Sequence, residues 1–145
     1  MGIQVHISET RDEVTACIEK YGMSPVKLLD SVGILKATTV GAHCVVLDDE
    51  DIEILSKRGV NVVHNPSSNM KLASGIAPIK KMIDRGINVC LGTDGAASNN
   101  SLDMFKEMRE ASYLQKVYTL DPTVLTVDEV LSMATWRGAE ALGFD

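Results

Sequence analysis

The sequence predicts an α/β domain built on short parallel strands, each followed by a helix. Three observations lead there. Two segments repeat one another, "KRGVNVVHNP" from Lys57 and "DRGINVCLGT" from Asp84, 27 positions later. Each reads as the end of a helix, a glycine in the helix-stopping position and then a short β-branched strand. Helical periodicity precedes both, in "DDEDIEILSK" before Gly59 and "IAPIKKMID" before Gly86, with apolar residues at three- and four-residue steps. Finally, 145 residues are the length of one domain, and 45% hydrophobic content suits a packed core. Helices between apolar strands call for parallel pairing through right-handed crossovers.

Taken in order, "IQVHI" (3–7) is the first strand, and Thr10-Arg-Asp-Glu13 has the spacing of a capping box that opens a helix. "SPVKLLDSVG" predicts a second short helix, with Ser24 as cap and Pro25 at its first position. "ATTVGAHCVVL" (37–47) is the second strand, and the two repeat units supply the third and fourth. Helical stretches over 101–117 and 127–142 follow, the latter opened by a further capping-box spacing, Thr126 to Glu129. The resulting order fits an open doubly wound sheet or part of a (β/α)8 barrel. Four strands are half a barrel, and a complete one needs about 250 residues. No linker or low-complexity segment marks a second domain.

Composition excludes several classes. No apolar run approaches the ~20 residues of a membrane span, and no charged-then-apolar signal opens the chain. A net charge of −6, spread along the sequence, argues against nucleic acid as a partner. Cys17, Cys44 and Cys90 are scattered and form no C-x-x-C pair, which favours free thiols in a reducing cytoplasm over disulfides.

In either architecture, ligands sit at the carboxyl ends of the strands. Those ends carry His6, His43, His64 and Asp94, which uses every histidine of the chain. Imidazole nitrogens with a carboxylate suit zinc, iron or manganese. A hydrolytic site uses such a metal to lower the pKa of bound water toward 7. It also needs a proton carrier. Glu9, three residues past His6, serves either as that carrier or as an ordinary charge favoured near a helix N-terminus. Gly92 and Gly95 let backbone approach a bound group, while Ala96, Ala97 and Ser98 leave room for it. Asn99, Asn100 and Ser101 are candidate caps of the next helix, and a plain Gly/Asn-rich turn would carry the same residues.

"VHISET", "GAHCVVL", "HNPSSNMKLASG" and "LGTDGAASNNSLDMFKEMR" together resemble the amidohydrolase superfamily. The branch is the one holding 5′-methylthioadenosine/S-adenosylhomocysteine deaminases, chlorohydrolases and related aminohydrolases. Four motifs in order cover nearly the whole chain. The resemblance implies a metal-dependent (β/α)8 TIM barrel with one zinc or iron ion. It implies His6 as the metal ligand from strand five, and Asp94 as the ligand from strand eight that helps deprotonate the bound water. Glu9 would shuttle that proton to the purine ring, and His43, from strand six, would polarise the centre under attack. His64 and Ser98 would line the substrate pocket with Glu9 and His43. The implied reaction is deamination of a small purine nucleoside-like substrate, with metal hydroxide attacking the amine-bearing carbon.

One departure is large. Such enzymes carry an H-x-H pair on strand one, and no H-x-H occurs here. The regions of strands one to four and the flanking β-sandwich are also absent, so residues 1–145 are expected to be the C-terminal half of the barrel. The opening Met-Gly then reads as a start imposed on a longer reading frame. Two further expectations follow for the isolated chain: weak or no metal binding without turnover, and self-association through exposed half-barrel edges. Two alternatives stay open. The same site could act on guanine, cytosine or a triazine. A non-catalytic α/β module could instead hold a small anion at helix N-termini near Asn65–Ser68 and Ala96–Ser101.

Overall fold

The computed structural model describes residues 2–144. Four strands, β1 (Ile3–Ile7), β2 (Thr39–His43), β3 (Asn61–His64) and β4 (Val89–Leu91), form one parallel sheet in the order β1-β2-β3-β4. That order settles the architecture. A doubly wound sheet reverses strand order at a switch point, whereas a barrel adds each strand to the same edge. The expected second strand, 37–47, is shorter at both ends. After His43 the backbone turns left-handed at His43 and Cys44 (φ 72° and 49°), which no extended ladder tolerates.

The crossovers hold α1 (Arg11–Tyr21), α2 (Pro25–Ser31), α3 (Asp49–Lys57), α4 (Pro66–Lys71) and α5 (Ile79–Asp84). After β4 come α6 (Ala96–Asn99), α7 (Met104–Thr119), α8 (Val127–Ala134) and α9 (Trp136–Ala141). Thr10 and Ser24 cap α1 and α2 as expected, and Thr126 and Glu129 close a full capping box on α8. Two helices, α4 and α6, start where the anion-binding alternative places helix N-termini although no periodicity marks them, and the stretch 127–142 is two helices broken at Thr135. The cap of α7 is Asp103, whose side chain accepts from the amides of Phe105 and Lys106. Asn99 instead accepts from the amides of Ser101 and Leu102, in the turn before that helix.

The core lies between the outer face of the sheet and the helices. Ile7, Val62, Val89 and Leu91 from the strands meet Ile52, Leu55, Ile79, Met82, Ala111 and Met133 from the helices. The inner face is different. Gln4 and His6 are exposed on it, and Gln4, His6, Ala42, Val63, Asn65, Gly92 and Asp94 line an open cavity of about 360 Å³. Gly92 is required by neighbouring side chains there. A Cβ at this position would lie 2.6 Å from both Val63 Cγ1 and Asn65 Oδ1 on the adjacent strand.

Candidate metal centre

Parallel strands deliver their C-terminal residues to one rim. β1 places His6 in register with Ala42, β2 ends at His43, and β4 runs through Gly92 and Thr93 to Asp94. One ligand atom from each of His6, His43 and Asp94 lies within 4.8 Å of the others. The His6 and His43 rings stack at 27°, with centroids 5.0 Å apart. Ser8, His43 and Asp94 all hold φ between 50° and 72°. Such conformations cost non-glycine residues of order 1–3 kcal/mol each, and they cluster where function over-determines the backbone.

Hydrogen bonds fix the three groups. Asp94 Oδ2 accepts from Ser68 Oγ at 2.6 Å and Ser98 Oγ at 2.7 Å. Partial burial pushes the Asp94 carboxyl up, but these two hydroxyls, the Gly95 amide and nearby His43 outweigh it and hold the group below the ordinary carboxylate range. Asp94 is therefore ionised at neutral pH, as a metal ligand must be. His43 is fully buried, and its Nδ1 lies 2.9 Å from Asn69 Oδ1. That leaves Nε2 to face the rim, 3.8 Å from Glu9 Oε2. Two imidazoles and an ionised carboxylate within one ion's reach are a fitting donor set for zinc or a neighbouring divalent metal.

Glu9 stands beside this cluster, with Ser74 Oγ 3.3 Å from its Oε1. The spacing from Thr10 to Glu13 does not close a capping box. Thr10 caps α1, but the Glu13 carboxylate reaches past it to accept from the amides of Ser8 at 3.0 Å and Glu9 at 2.7 Å. It thus pins the loop that carries Glu9.

His64 differs from expectation. It is fully buried, is not among the residues lining the cavity, and neither ring nitrogen has a partner. Burial first, then the proximity of His43, holds its pKa down to about 3, so it is neutral. Ser98 reaches the site through Asp94, as an orienting donor.

Helix α4, which sequence periodicity missed, is the support of the site. Consecutive residues reach three different elements: Ser67 N donates to Glu107 on α7 at 3.1 Å, Ser68 donates to Asp94, and Asn69 contacts His43. Glu107, itself fully buried, also accepts from Asn99 Nδ2 at 2.6 Å, and Asn99 Nδ2 donates to Thr93 O as well. The anion-binding alternative fails here for a physical reason. The free amide at the α4 N-terminus is already taken by the Glu107 carboxylate, and α6 is a single turn. The signal for α4 was present in Pro66, which fits the first helical position.

Parallel strands added in barrel order, with a candidate divalent-metal donor set at their carboxyl ends, define the class of a metal-site (β/α)8 barrel. The chain belongs to the Amidohydrolase family, whose family model matches residues 1–145. It is 58% identical over 143 residues to a 5′-deoxyadenosine deaminase of Methanothermobacter thermautotrophicus, covering 99% of this chain and 34% of that protein. It is 55% identical to a 5-methylthioadenosine/S-adenosylhomocysteine deaminase of Carboxydothermus hydrogenoformans, covering 97% of this chain and 33% of the relative. Among solved structures it is similar to a Xanthomonas campestris adenosine deaminase with bound zinc, at TM-score 0.96 and 42% identity, over 99% of this chain and 33% of that one. The chain spans about a third of the length of the relatives it matches.

Proposed function

We propose that this chain carries the proton-transfer half of a metal-dependent deaminase site acting on 5′-modified adenosines. The observation that carries the reading is the convergence of His6, His43 and Asp94 within 4.8 Å, with Glu9 beside them. His6 and Asp94 would hold the ion, zinc by the chemistry of the donors and by the bound zinc of the Xanthomonas campestris enzyme. Bound there, the ion would lower the pKa of a coordinated water toward 7. Asp94, ionised and oriented by two serines, accepts a proton. Glu9, on a loop fixed by Glu13, carries that proton toward the ring nitrogen. His43 presents Nε2 to the carbon that loses its amine, and Ser98 keeps Asp94 in line. Net reaction adds water at that carbon and releases ammonia. The names of the 54–58% identical relatives favour adenosine derivatives over guanine, cytosine or triazines.

The same reading includes association through the sheet edges. β1 and β4 each pair with one strand only, and α1 has no buried residue. A cytoplasmic setting accords with three free cysteines and with the lack of any membrane-spanning helix among the described residues.

A chimera tests the function. This chain replaces the matching third of the Methanothermobacter thermautotrophicus relative, and ammonia release is followed with zinc and 5′-deoxyadenosine or methylthioadenosine. The chimera should turn over at least one of the two nucleosides, and Glu9→Gln should lower kcat by about 10²–10⁴. Release of ammonia from guanine alone, or an undiminished Glu9→Gln rate, overturns the reading.

A further inference from the structure

A strand edge carries main-chain donors and acceptors that have to be paired, covered or wetted, and this sheet has two such edges among the described residues. On β1, Ile3 N donates to Thr38 O and Ile7 O accepts from Cys44 N, so the odd-numbered residues turn their main-chain groups to β2. Successive residues of a strand turn them to opposite sides, and those of Gln4 and His6 therefore point off the sheet. On β4, Asn88 O accepts from Val62 N and Gly92 N donates to His64 O, which leaves Val89 and Leu91 facing the other free edge. Neither IQVHI nor VCL carries a lysine, a proline or an acidic residue, the usual guards of an edge.

The inner face is open as well. Parallel sheets are covered on both faces, yet here the core lies on the outer face, and Gln4 and His6 are exposed on the inner one. We propose that a second copy of this chain covers both edges and the inner face at once, closing a two-fold, eight-stranded parallel barrel in which β4 of each copy pairs with β1 of the other. A two-fold axis along the barrel keeps all eight strands parallel. It joins the Gln4 and His6 edge of one copy to the Val89 and Leu91 edge of the other, twice over. Four strands added in barrel order are half of such a barrel, so two copies leave no edge unpaired. An antiparallel contact of β1 with β1, or of β4 with β4, would leave two edges and the inner face open. Closure also sets the His6 of the second copy on the strand beside the one that leads to Asp94.

This partner rests on the edge association proposed above and is independent of the deaminase reading. Sedimentation and amide hydrogen exchange of the 145-residue chain, at rising concentration and without metal or substrate, test it. The mass should rise to that of two chains and stop there. The amides of Gln4, His6, Val89 and Leu91 should slow together, by about tenfold or more between dilute and concentrated protein. Gln4→Pro removes an amide from the free edge and leaves the bonds of Ile3 and Ile7 to β2 in place, so it should give a folded monomer. Slowing on one edge alone in a two-chain species overturns the barrel and leaves edge association standing. A mass that climbs past two chains does the same, and so does a folded Gln4→Pro chain that pairs as the native one does. A native chain that stays monomeric at every concentration overturns the barrel and edge association together, without touching ammonia release by the chimera. If Gln4→Pro does not fold, the mass and exchange pattern of the native chain still decide.

Discussion

The two flanks of the sheet are built to different standards. On the β3–β4 flank, four of the six residues of α4 are buried, three of them polar, and Ser67, Ser68 and Asn69 each meet a named partner. On the β1 flank, α1 buries none of its eleven residues, and Gln4 and His6 face the open side of the sheet. The residues that converge at the strand ends straddle this divide. His43 and Asp94 are held by completed hydrogen bonds, while His6 is exposed and held chiefly by its strand and by stacking on His43. Preorganisation of a site requires the ligands' supports as much as the ligands. By that measure the supports of His43 and Asp94 are complete, and those of His6 are not.

The largest effect should come from removing the hub of the finished flank. Glu107→Leu would strand the buried Ser67 amide and remove one of the two bonds made by Asn99 Nδ2, which keeps its bond to Thr93 O. An unsatisfied buried group costs about 1–3 kcal/mol and a lost hydrogen bond about 1 kcal/mol, so urea denaturation should show a loss of about 2–4 kcal/mol. Glu107→Gln retains an acceptor oxygen and should lose less than half as much. A loss under about 1 kcal/mol for Glu107→Leu would mean that the α4–α7 network is not what holds this flank.

The same contrast explains how much was legible in the sequence. His6, His43 and Asp94 could be found because strand periodicity and a barrel's polarity place strand ends together whatever the intervening loops do. The repeat at Lys57 and Asp84 likewise located β3 and β4, because glycine at a helix end and β-branched residues after it are local signals. Helix α4 was legible only in Pro66 at its start. Its buried residues after Pro66 are all polar, so no apolar stripe announces it, and it is tied down by Glu107, 40 positions from Ser67. His64 is the opposite case. Its place at a strand end is shared with the donors, but its ring is buried at the end of β3, and only burial reveals that. The left-handed backbone at Ser8, His43 and Asp94 has no counterpart in residue type at all.

A smaller effect should appear on acidification. The pKa of His64 in the fold, about 3, lies below its ordinary value of 6.5, so the unfolded chain takes up a proton first. Stability from this residue is complete above pH 6.5 and is lost as pH falls from there toward 3. Between pH 6.5 and 5 the loss should be about 2 kcal/mol, at 1.36 kcal/mol per pH unit. His64→Phe should flatten that limb of the denaturation midpoint against pH. An equally steep limb in His64→Phe would place the titration elsewhere.

The smallest effect on stability should come from the open flank, where it carries the most information. Ile18 on α1 is 48% exposed, so Ile18→Ser should change the unfolding free energy by no more than about 0.5 kcal/mol in dilute protein. Its consequence should appear instead in association, because exposed apolar residues and an open strand edge are what a second molecule would cover. Sedimentation at increasing concentration should show the native chain gaining mass and Ile18→Ser gaining less. Binding that stabilises only the folded state also makes the unfolding midpoint depend on concentration. If Ile18→Ser costs more than about 1 kcal/mol, repeating the measurement tenfold more dilute separates the causes. A cost that vanishes on dilution belongs to the interface, whereas one that persists would show that α1 is packed within the single chain, and that the two flanks are less unlike than their burial implies.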